Sequence, residues 1–243
     1  MTDVPETHPR YESLRLRDAV VAGVGRGVTS VHGLIAHGRG EAFDYLLGER
    51  THGFARDAVA AAAAMLAAAQ RPVLSVNGNA AALVADGLVA LAEALSCPLE
   101  VNLFHTSPER ERAIEKLLVE SGAARVLLPD PDTFLEGIDS NRRYVHPEGI
   151  HRADVIFVPL EDGDRCRILR AAGKEVVTVD LNPLSRTAEL ASISIIDNVV
   201  RAMPLLVDAV SAAASDPHGS RRLLEEYDNG RILEAAERCM RNR

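Results

Sequence analysis

The stretch GLIAHGRGEAFDYLLGE, Gly33 to Glu49, sets His37, Arg39 and Glu41 around Gly38 and Gly40. Glycine permits close backbone approach. A cation beside it suits an anion that backbone N–H groups can also touch. The plainer reading is a helix start whose charges face water, and this stretch alone does not choose.

Five other polar stretches carry chemistry-bearing groups. SVNGNAAALV holds Asn77, Gly78 and Asn79, a turn whose free N–H groups could face a phosphate. VNLFHTS holds Asn102 and His105, and a polar residue inside an apolar run needs a partner. PLEDGDR crowds Glu161, Asp162, Asp164 and Arg165 around Gly163. Its carboxylates could hold Mg²⁺ beside a nucleotide or accept a proton from an amine, or one could cap a helix. VDLNPLSRTAE offers Asp180 as a ribose partner, Asn182 for a base or sugar, and Ser185 with Arg186 for phosphate. IIDNVVRA supplies Asp197 and Asn198, which also read as a simple helix cap.

What must position these groups is a series of short β-branched runs alternating with helical patterns. Strands are expected at Pro72–Asn77, Leu99–Phe104, Arg125–Leu128, Ala153–Leu160, Glu175–Leu181 and around Ser194. Helices are expected at Ala81–Leu95 and Ser107–Gly122. Strands that are nearly continuous Val, Ile and Leu imply burial on both faces, hence a parallel sheet with helices on each side. The expected fold is α/β and Rossmann-like. Five polar stretches then fall at strand ends on one edge, where open parallel sheets bind ligands. A single domain over 1–243 is expected, with helical extensions at 1–70 and 199–243. Asp228, Asn229 and Gly230 are expected to break the last segment into two helices.

Composition narrows the function. The chain has 243 residues with 47% apolar and 26% charged content, as in an ordinary globular protein. A net charge of −8 speaks against general nucleic-acid binding, and 4% aromatics with no Trp offers few stacking platforms. Cys97, Cys166 and Cys239 form no CxxC and no zinc spacing. The polar N-terminus is no signal peptide. The alanine-rich run Ala58–Ala69 is too short to span a bilayer, so a cytoplasmic location is expected. AGVGRG, Ala22–Gly27, follows a helical pattern and lacks GxGxxG spacing, and neither GxxxxGK[ST] nor GxSxG occurs.

The segments HPRYESLRLRD, GLIAHGRGEAFDYLLGE, PVLSVNGN, VNLF, VPLEDGDR, DLNPLSRTA and DNVVRAMP occur in this order. Together they resemble the archaeal phosphopantothenate synthetase family, also called 4-phosphopantoate–β-alanine ligases. The resemblance runs from about His8 to Pro204 and is looser between Pro129 and His151. It implies condensation of 4-phosphopantoate with β-alanine at the expense of ATP, giving 4′-phosphopantothenate, AMP and diphosphate in coenzyme A biosynthesis. It further implies Mg²⁺ with the nucleotide and a homodimer. By the same resemblance, ATP contacts fall on Arg17, Arg39, Asp180, Leu181, Asn182, Ser185, Arg186, Asp197 and Asn198. Asn77, Asn79, Asn102, Arg142, Asp164 and Arg165 are the residues expected at the other two substrates. Arg39 is expected to stabilise phosphate charge. His37 or a carboxylate of the Glu161–Asp164 turn (Glu161, Asp162 or Asp164) is expected to take the amine's proton. The dimer contact is sought in the C-terminal apolar stripe or in the alanine-rich helix.

Overall fold

The computed structural model describes residues 4–242; both ends of the expected 1–243 domain lie outside them. Three helices lead, α1 (Tyr11–Gly25), α2 (Val31–Leu47) and α3 (Gly53–Ala68). The sheet follows as β1 (Pro72–Val76), α4 (Gly78–Ala94), β2 (Leu99–Val101), α5 (Pro108–Glu120), β3 (Val126–Leu127), β4 (Val155–Phe157), α6 (Gly163–Ala171), β5 (Glu175–Val179), α7 (Arg186–Leu190) and β6 (Ile193–Ile195). The chain closes with α8 (Val199–Ser215), α9 (Pro217–Glu226) and α10 (Asn229–Arg241). All six strands run parallel in the order β3-β2-β1-β4-β5-β6. The order reverses between β1 and β4, which opens a crevice beyond their carboxyl ends.

The strands are shorter than the apolar runs suggested. Side-by-side pairing nevertheless continues past them: Asn102 N–H donates to Val76 O, and Leu160 N–H to Val179 O. Successive side chains face opposite sides. Leu74, Val76, Leu99, Val101, Phe157, Val177 and Val179 join one core with α3, α4, α5 and α8. Val73, Ile156, Val158 and Val176 join another with α6 and with Leu135, Ile138, Val145 and Ile150. Those last four belong to the long crossover between β3 and β4, whose helix content is one 3-10 turn, Asn141–Arg143. So helices lie on both faces, but an irregular segment does much of the covering on the second.

That segment is fastened by polar groups buried in the sheet. Glu100 of β2 is fully buried, and its carboxylate accepts from His146 N–H at 2.8 Å and Ile150 N–H at 2.6 Å. Gly149 allows the approach, because a Cβ there would stand 1.9 Å from Glu100 Oε2. Lys174 Nζ donates to the carbonyls of His151 and Ala153, both at 2.8 Å. Asn102 Nδ2 donates to the carbonyls of Arg142 and Tyr144, at 3.2 and 3.0 Å. A loop without its own ladder thereby has its backbone groups satisfied from the sheet.

Both stretches in which the dimer contact was sought are used inside the chain. In α3, Ala55, Ala58 and Ala61–Ala64 are at most 1% exposed. In the C-terminal pair, Ile232 and Ala236 are buried, with Leu223, Leu224, Tyr227, Leu233 and Met240 packed on the same core. The expected break before α10 falls at Tyr227–Asp228, at the start of the Asp228–Gly230 stretch rather than at its glycine. Asp228 caps α10 by accepting from Arg231 N–H at 3.2 Å, so Gly230 lies inside the helix.

Candidate functional site

A cavity of about 950 Å³ occupies the carboxyl edge of the sheet. Its floor is the set of turns leaving β1, β2, β4, β5 and β6, and α1 and α2 form its roof. The structure thus brings together Asn77, Asn79, His37, Arg39, Arg142, Glu161, Asp162, Asp180, Leu181, Asn182, Ser185, Arg186 and Asn198 on one wall system. Arg17, Asn102, Asp164, Arg165 and Asp197 do not line it: Asn102, Arg165 and Asp197 are buried, whereas Arg17 and Asp164 are exposed.

At the exit of β5, Asp180 accepts from Asn182 N–H at 2.9 Å and from Ser185 Oγ at 2.5 Å. Ser185 also caps α7 through Ala188 N–H at 3.0 Å, and Asn182 Oδ1 accepts from Leu184 N–H at 3.0 Å. Burial pushes the Asp180 carboxyl up, against the pull of Ser185, Asn182 and the Arg39 guanidinium. No described cation pairs with it directly. A carboxylate in that state is a strong acceptor for hydroxyl groups. Arg186 pairs with Asp164 at 2.9 Å on the exposed rim.

At the exit of β4 the chain turns through Leu160, whose φ of +59° is rare for leucine and costs roughly 1 kcal/mol. The turn delivers Glu161 into a fully buried position between Arg142 and Arg165, one guanidinium on each carboxylate oxygen. Asp162 caps α6 through Arg165 N–H at 3.0 Å and also meets Arg142 at 3.1 Å. Burial alone would raise the Asp162 carboxyl. The Arg165 N–H and the two guanidiniums outweigh that and hold it below the usual carboxylate range. These carboxylates are therefore spent on arginine. Among the described residues no three His, Cys, Asp or Glu side chains gather where they could hold a metal ion. The PLEDGDR turn orients Arg142 at the cavity through these pairs.

The roof is tied down by residues that local spacing did not reveal. Asp44, on the inner side of α2, meets Arg201 of α8 at 2.6 Å and accepts from Asn198 Nδ2 at 2.8 Å. Arg201 also reaches Asp197 at 2.5 Å, and Asp197 accepts from Thr51 Oγ1 at 2.6 Å. Asp197 is thereby buried beneath the cavity wall. Arg17 of α1 pairs with Glu41 of α2 at 2.8 Å, joining the two roof helices. Between them, His37 carries a buried Nε2 with no partner among the described residues. Burial lowers the pKa of His37, with Arg17 adding to this and Glu41 and Asp44 opposing it.

At the exit of β1, both asparagines are occupied. Asn77 caps α4 through Ala80 N–H at 3.0 Å and donates to Pro159 O at 2.8 Å. Asn79 accepts from Thr29 Oγ1 at 2.5 Å and donates to Gly33 O at 2.9 Å, so it holds the start of α2. Gly78 is needed where it stands, since a Cβ would meet Val28 O at 2.6 Å. His32, His105 and Arg110 complete this end of the cavity.

A parallel sheet with polar turns at its strand exits, closed over by two helices, defines a Rossmann-like α/β protein with a small-molecule cleft at the switch point. A family model described as phosphopantothenate/pantothenate synthetase matches residues 54–243. A 4-phosphopantoate–β-alanine ligase of Methanosarcina mazei is 50% identical over 237 residues, covering 97% of this chain and 93% of that one. One of Thermococcus onnurineus is 47% identical over 235 residues, covering 96% and 90%. One of Methanospirillum hungatei is 43% identical over 247 residues, covering 95% and 98%. The chain belongs to the phosphopantothenate/pantothenate synthetase family.

Proposed function

We propose that this chain is a ligase that condenses 4-phosphopantoate with β-alanine using ATP, forming 4′-phosphopantothenate, AMP and diphosphate in the path to coenzyme A. The observation that carries the reading is the near full-length identity to ligases of that name, at 50% over 97% of the chain for the Methanosarcina mazei protein. That alignment is too long to leave out the roof helices, so the likeness extends to what closes the cavity.

In this reading ATP lies along the β5 and β6 exits. Asp180 and Asn182 hold ribose or base, while Ser185, Arg186 and Arg39 serve the phosphates, and Asn198 lines the pocket beside them; Arg17, paired with Glu41, holds the roof over them. A carboxylate of 4-phosphopantoate attacks the α-phosphorus. The O–P bond forms as the bond to the bridging oxygen breaks, and diphosphate leaves. No side-chain nucleophile is needed, because the acid is itself the nucleophile. The protein's task is to bring two anions together and to neutralise charge at the phosphorus, for which Arg39 and Arg142 are placed. β-Alanine nitrogen then attacks the acyl carbon, the C–N bond forms, and AMP leaves with the former carboxylate oxygen. The amine must shed a proton. Of the groups put forward for it, Glu161, Asp162 and Asp164 are bound to arginine, whereas burial favours the neutral form of His37, whose Nε2 has no partner among the described residues. We assign the proton to His37. Mg²⁺ would come with the nucleotide rather than reside on protein carboxylates.

The test is ATP–diphosphate exchange. Label should pass from diphosphate into ATP only when 4-phosphopantoate is present and without need of β-alanine. Exchange that requires β-alanine would remove the adenylate from the scheme. A homodimer is part of the same reading: light scattering should return close to twice the 26.1 kDa chain mass, and a monomer at micromolar concentration would reject it.

A further inference from the structure

Burial pushes the thiols of Cys97 and Cys166 up to about 12, so both stay protonated at neutral pH and are poor nucleophiles. Cys239 is placed differently. It lies half-buried in α10, away from the cleft, with Sγ 3.8 Å from Nδ1 and 3.7 Å from Nε2 of His52. A second contact sets the roles of the ring. His52 Nε2 is 2.6 Å from the carbonyl of Leu47, so in the neutral imidazole that nitrogen carries the proton. Nδ1 is then the acceptor, and the Cys239 thiol is a donor within its reach. A thiol beside a base that a third group orients is the arrangement that activates a cysteine.

His52 also holds the roof. Leu47 is the last residue of α2, and the chain beyond it turns through Gly48 at φ +83° and Glu49 at φ +53°. Gly48 N–H donates to Tyr45 O at 3.1 Å and Glu49 N–H to Asp44 O at 3.0 Å. His52, the residue before α3, closes this turn through Leu47 O. Phe54 stacks on the His52 ring at 5.0 Å, with 8° between the planes, and so restricts its tilt. A group added at Cys239 Sγ must therefore move the ring off Leu47 O or lift α10 from it.

We propose that Cys239 and His52 form a thiol modification site, which a low-molecular-weight disulfide converts to a mixed disulfide and which loosens the C-terminal end of the roof helix. His52 Nδ1 takes the thiol proton, and Cys239 Sγ attacks one sulfur of the disulfide. The reagent's S–S bond breaks as the new one forms, and the released thiolate recovers the proton from His52. Cys239 is oxidised and the leaving half of the reagent is reduced, so no further reactant is needed. The site is separate from the chemistry of the cleft and does not depend on the ligase reading.

The probe is cystamine, with incorporation followed by intact mass and peptide mapping. The intact protein should gain one cysteamine unit, on Cys239, at least about tenfold faster than on Cys97 or Cys166. His52→Gln, whose amide can still donate to Leu47 O, should slow that incorporation by about tenfold or more. Hydrogen exchange gives a second readout that needs no histidine variant. In the modified protein the amides of Gly48 and Glu49 should exchange about tenfold faster than in untreated protein, whereas Cys239→Ser under the same treatment should not change. The modified protein should also show a raised KM for ATP, because α2 carries Arg39, and untreated Cys239→Ser should keep the full ligase rate. Equal or faster labelling of the other two cysteines, or folded His52→Gln labelling at the intact rate, overturns the site. Unchanged exchange at Gly48 and Glu49 in fully modified protein overturns the loosening of the roof. Labelling and exchange as expected in a chain that turns over no substrate would remove the ligase reading and leave the site standing.

Discussion

Asp44 and Arg201, 157 residues apart, meet as a two-pronged pair: Arg201 Nη2 lies 2.6 Å from one carboxylate oxygen and Nη1 3.1 Å from the other. The pair fixes the roof helix α2 to the start of α8, and Asn198 shares the same carboxylate. Replacing Asp44 by Asn leaves Arg201 half-buried with Asp197 as its one remaining partner. Asp44→Asn should cost about 2–3 kcal/mol in urea unfolding, below the range for fully buried pairs because Arg201 is partly exposed. It should also raise the KM for ATP. The double variant with Arg201→Met should lose less than the sum of the single changes; simple additivity would show that the pair does not couple.

His37 gives a pH signature. Its pKa lies below the ordinary 6.5, with burial the main cause. As the proton acceptor it must be neutral, so the amide-forming rate should hold through pH 6.5 and fall only on the more acid side. His37→Gln should abolish this limb and slow amide formation by about 100-fold, yet leave ATP–diphosphate exchange within a few-fold. Loss of exchange in equal measure would place His37 in the first step. The folded state binds this proton less readily than the unfolded chain. The stability it contributes is thus present above 6.5 and lost as pH falls through the lower folded value.

Glu100 has the opposite sign. Burial, the leading cause, pushes its pKa from 4.5 up to about 7, despite the N–H groups of Ile150 and His146 and the charges of Arg165 and Lys174. Its contribution is full below 4.5 and is lost as pH rises through about 7. Measured against Glu100→Gln, the intact protein should lose relative stability between pH 5 and 8. A flat difference across that window would contradict the buried-acid account. Through the backbone of the β3–β4 crossover the substitution should also loosen Arg142 and raise the KM of the acid substrate.

The strands were legible because nearly continuous Val, Ile and Leu between turn residues admits few other readings. Asp180, Asn182, Ser185 and Arg186 were legible because strand-exit chemistry is local. Glu100 was not, since a carboxylate in LEV reads as the polar side of a strand until the loop that covers it is known. Asp44 and Arg110 likewise sit in unremarkable helical positions, and their partners come from distant parts of the chain. Asn77 and Asn79, read as ligand groups, do line the cavity, and the capping bond of one and the helix tie of the other depend on partners that local spacing does not show. The chain-end helices were sought as an interface because an apolar stripe records that it must be covered and not by what.

Those helices carry a stability expectation. Asn229 of α10 accepts from Ser194 N–H at 2.9 Å and donates to Ala188 O at 2.8 Å, sealing the open side of the edge strand β6. Asn229→Ala should cost about 1–2 kcal/mol, since Ser194 N–H loses its acceptor while Ala188 O keeps the hydroxyl of Ser194. Truncation after Gly219 should yield an unstable chain rather than a folded monomer. A truncated protein that keeps its thermal midpoint would return the C-terminal helices to the role of an interface.

The central claim is an adenylated acid, and one atom reports on it. The measurement is ³¹P NMR or mass spectrometry of products formed from ATP, β-alanine and 4-phosphopantoate carrying ¹⁸O in its carboxylate. Because the carboxylate oxygen stays on phosphorus when the C–N bond forms, the account predicts AMP containing one ¹⁸O together with unlabelled diphosphate. Label in inorganic phosphate, with ADP as the other product, would show activation at the γ-phosphorus and contradict it.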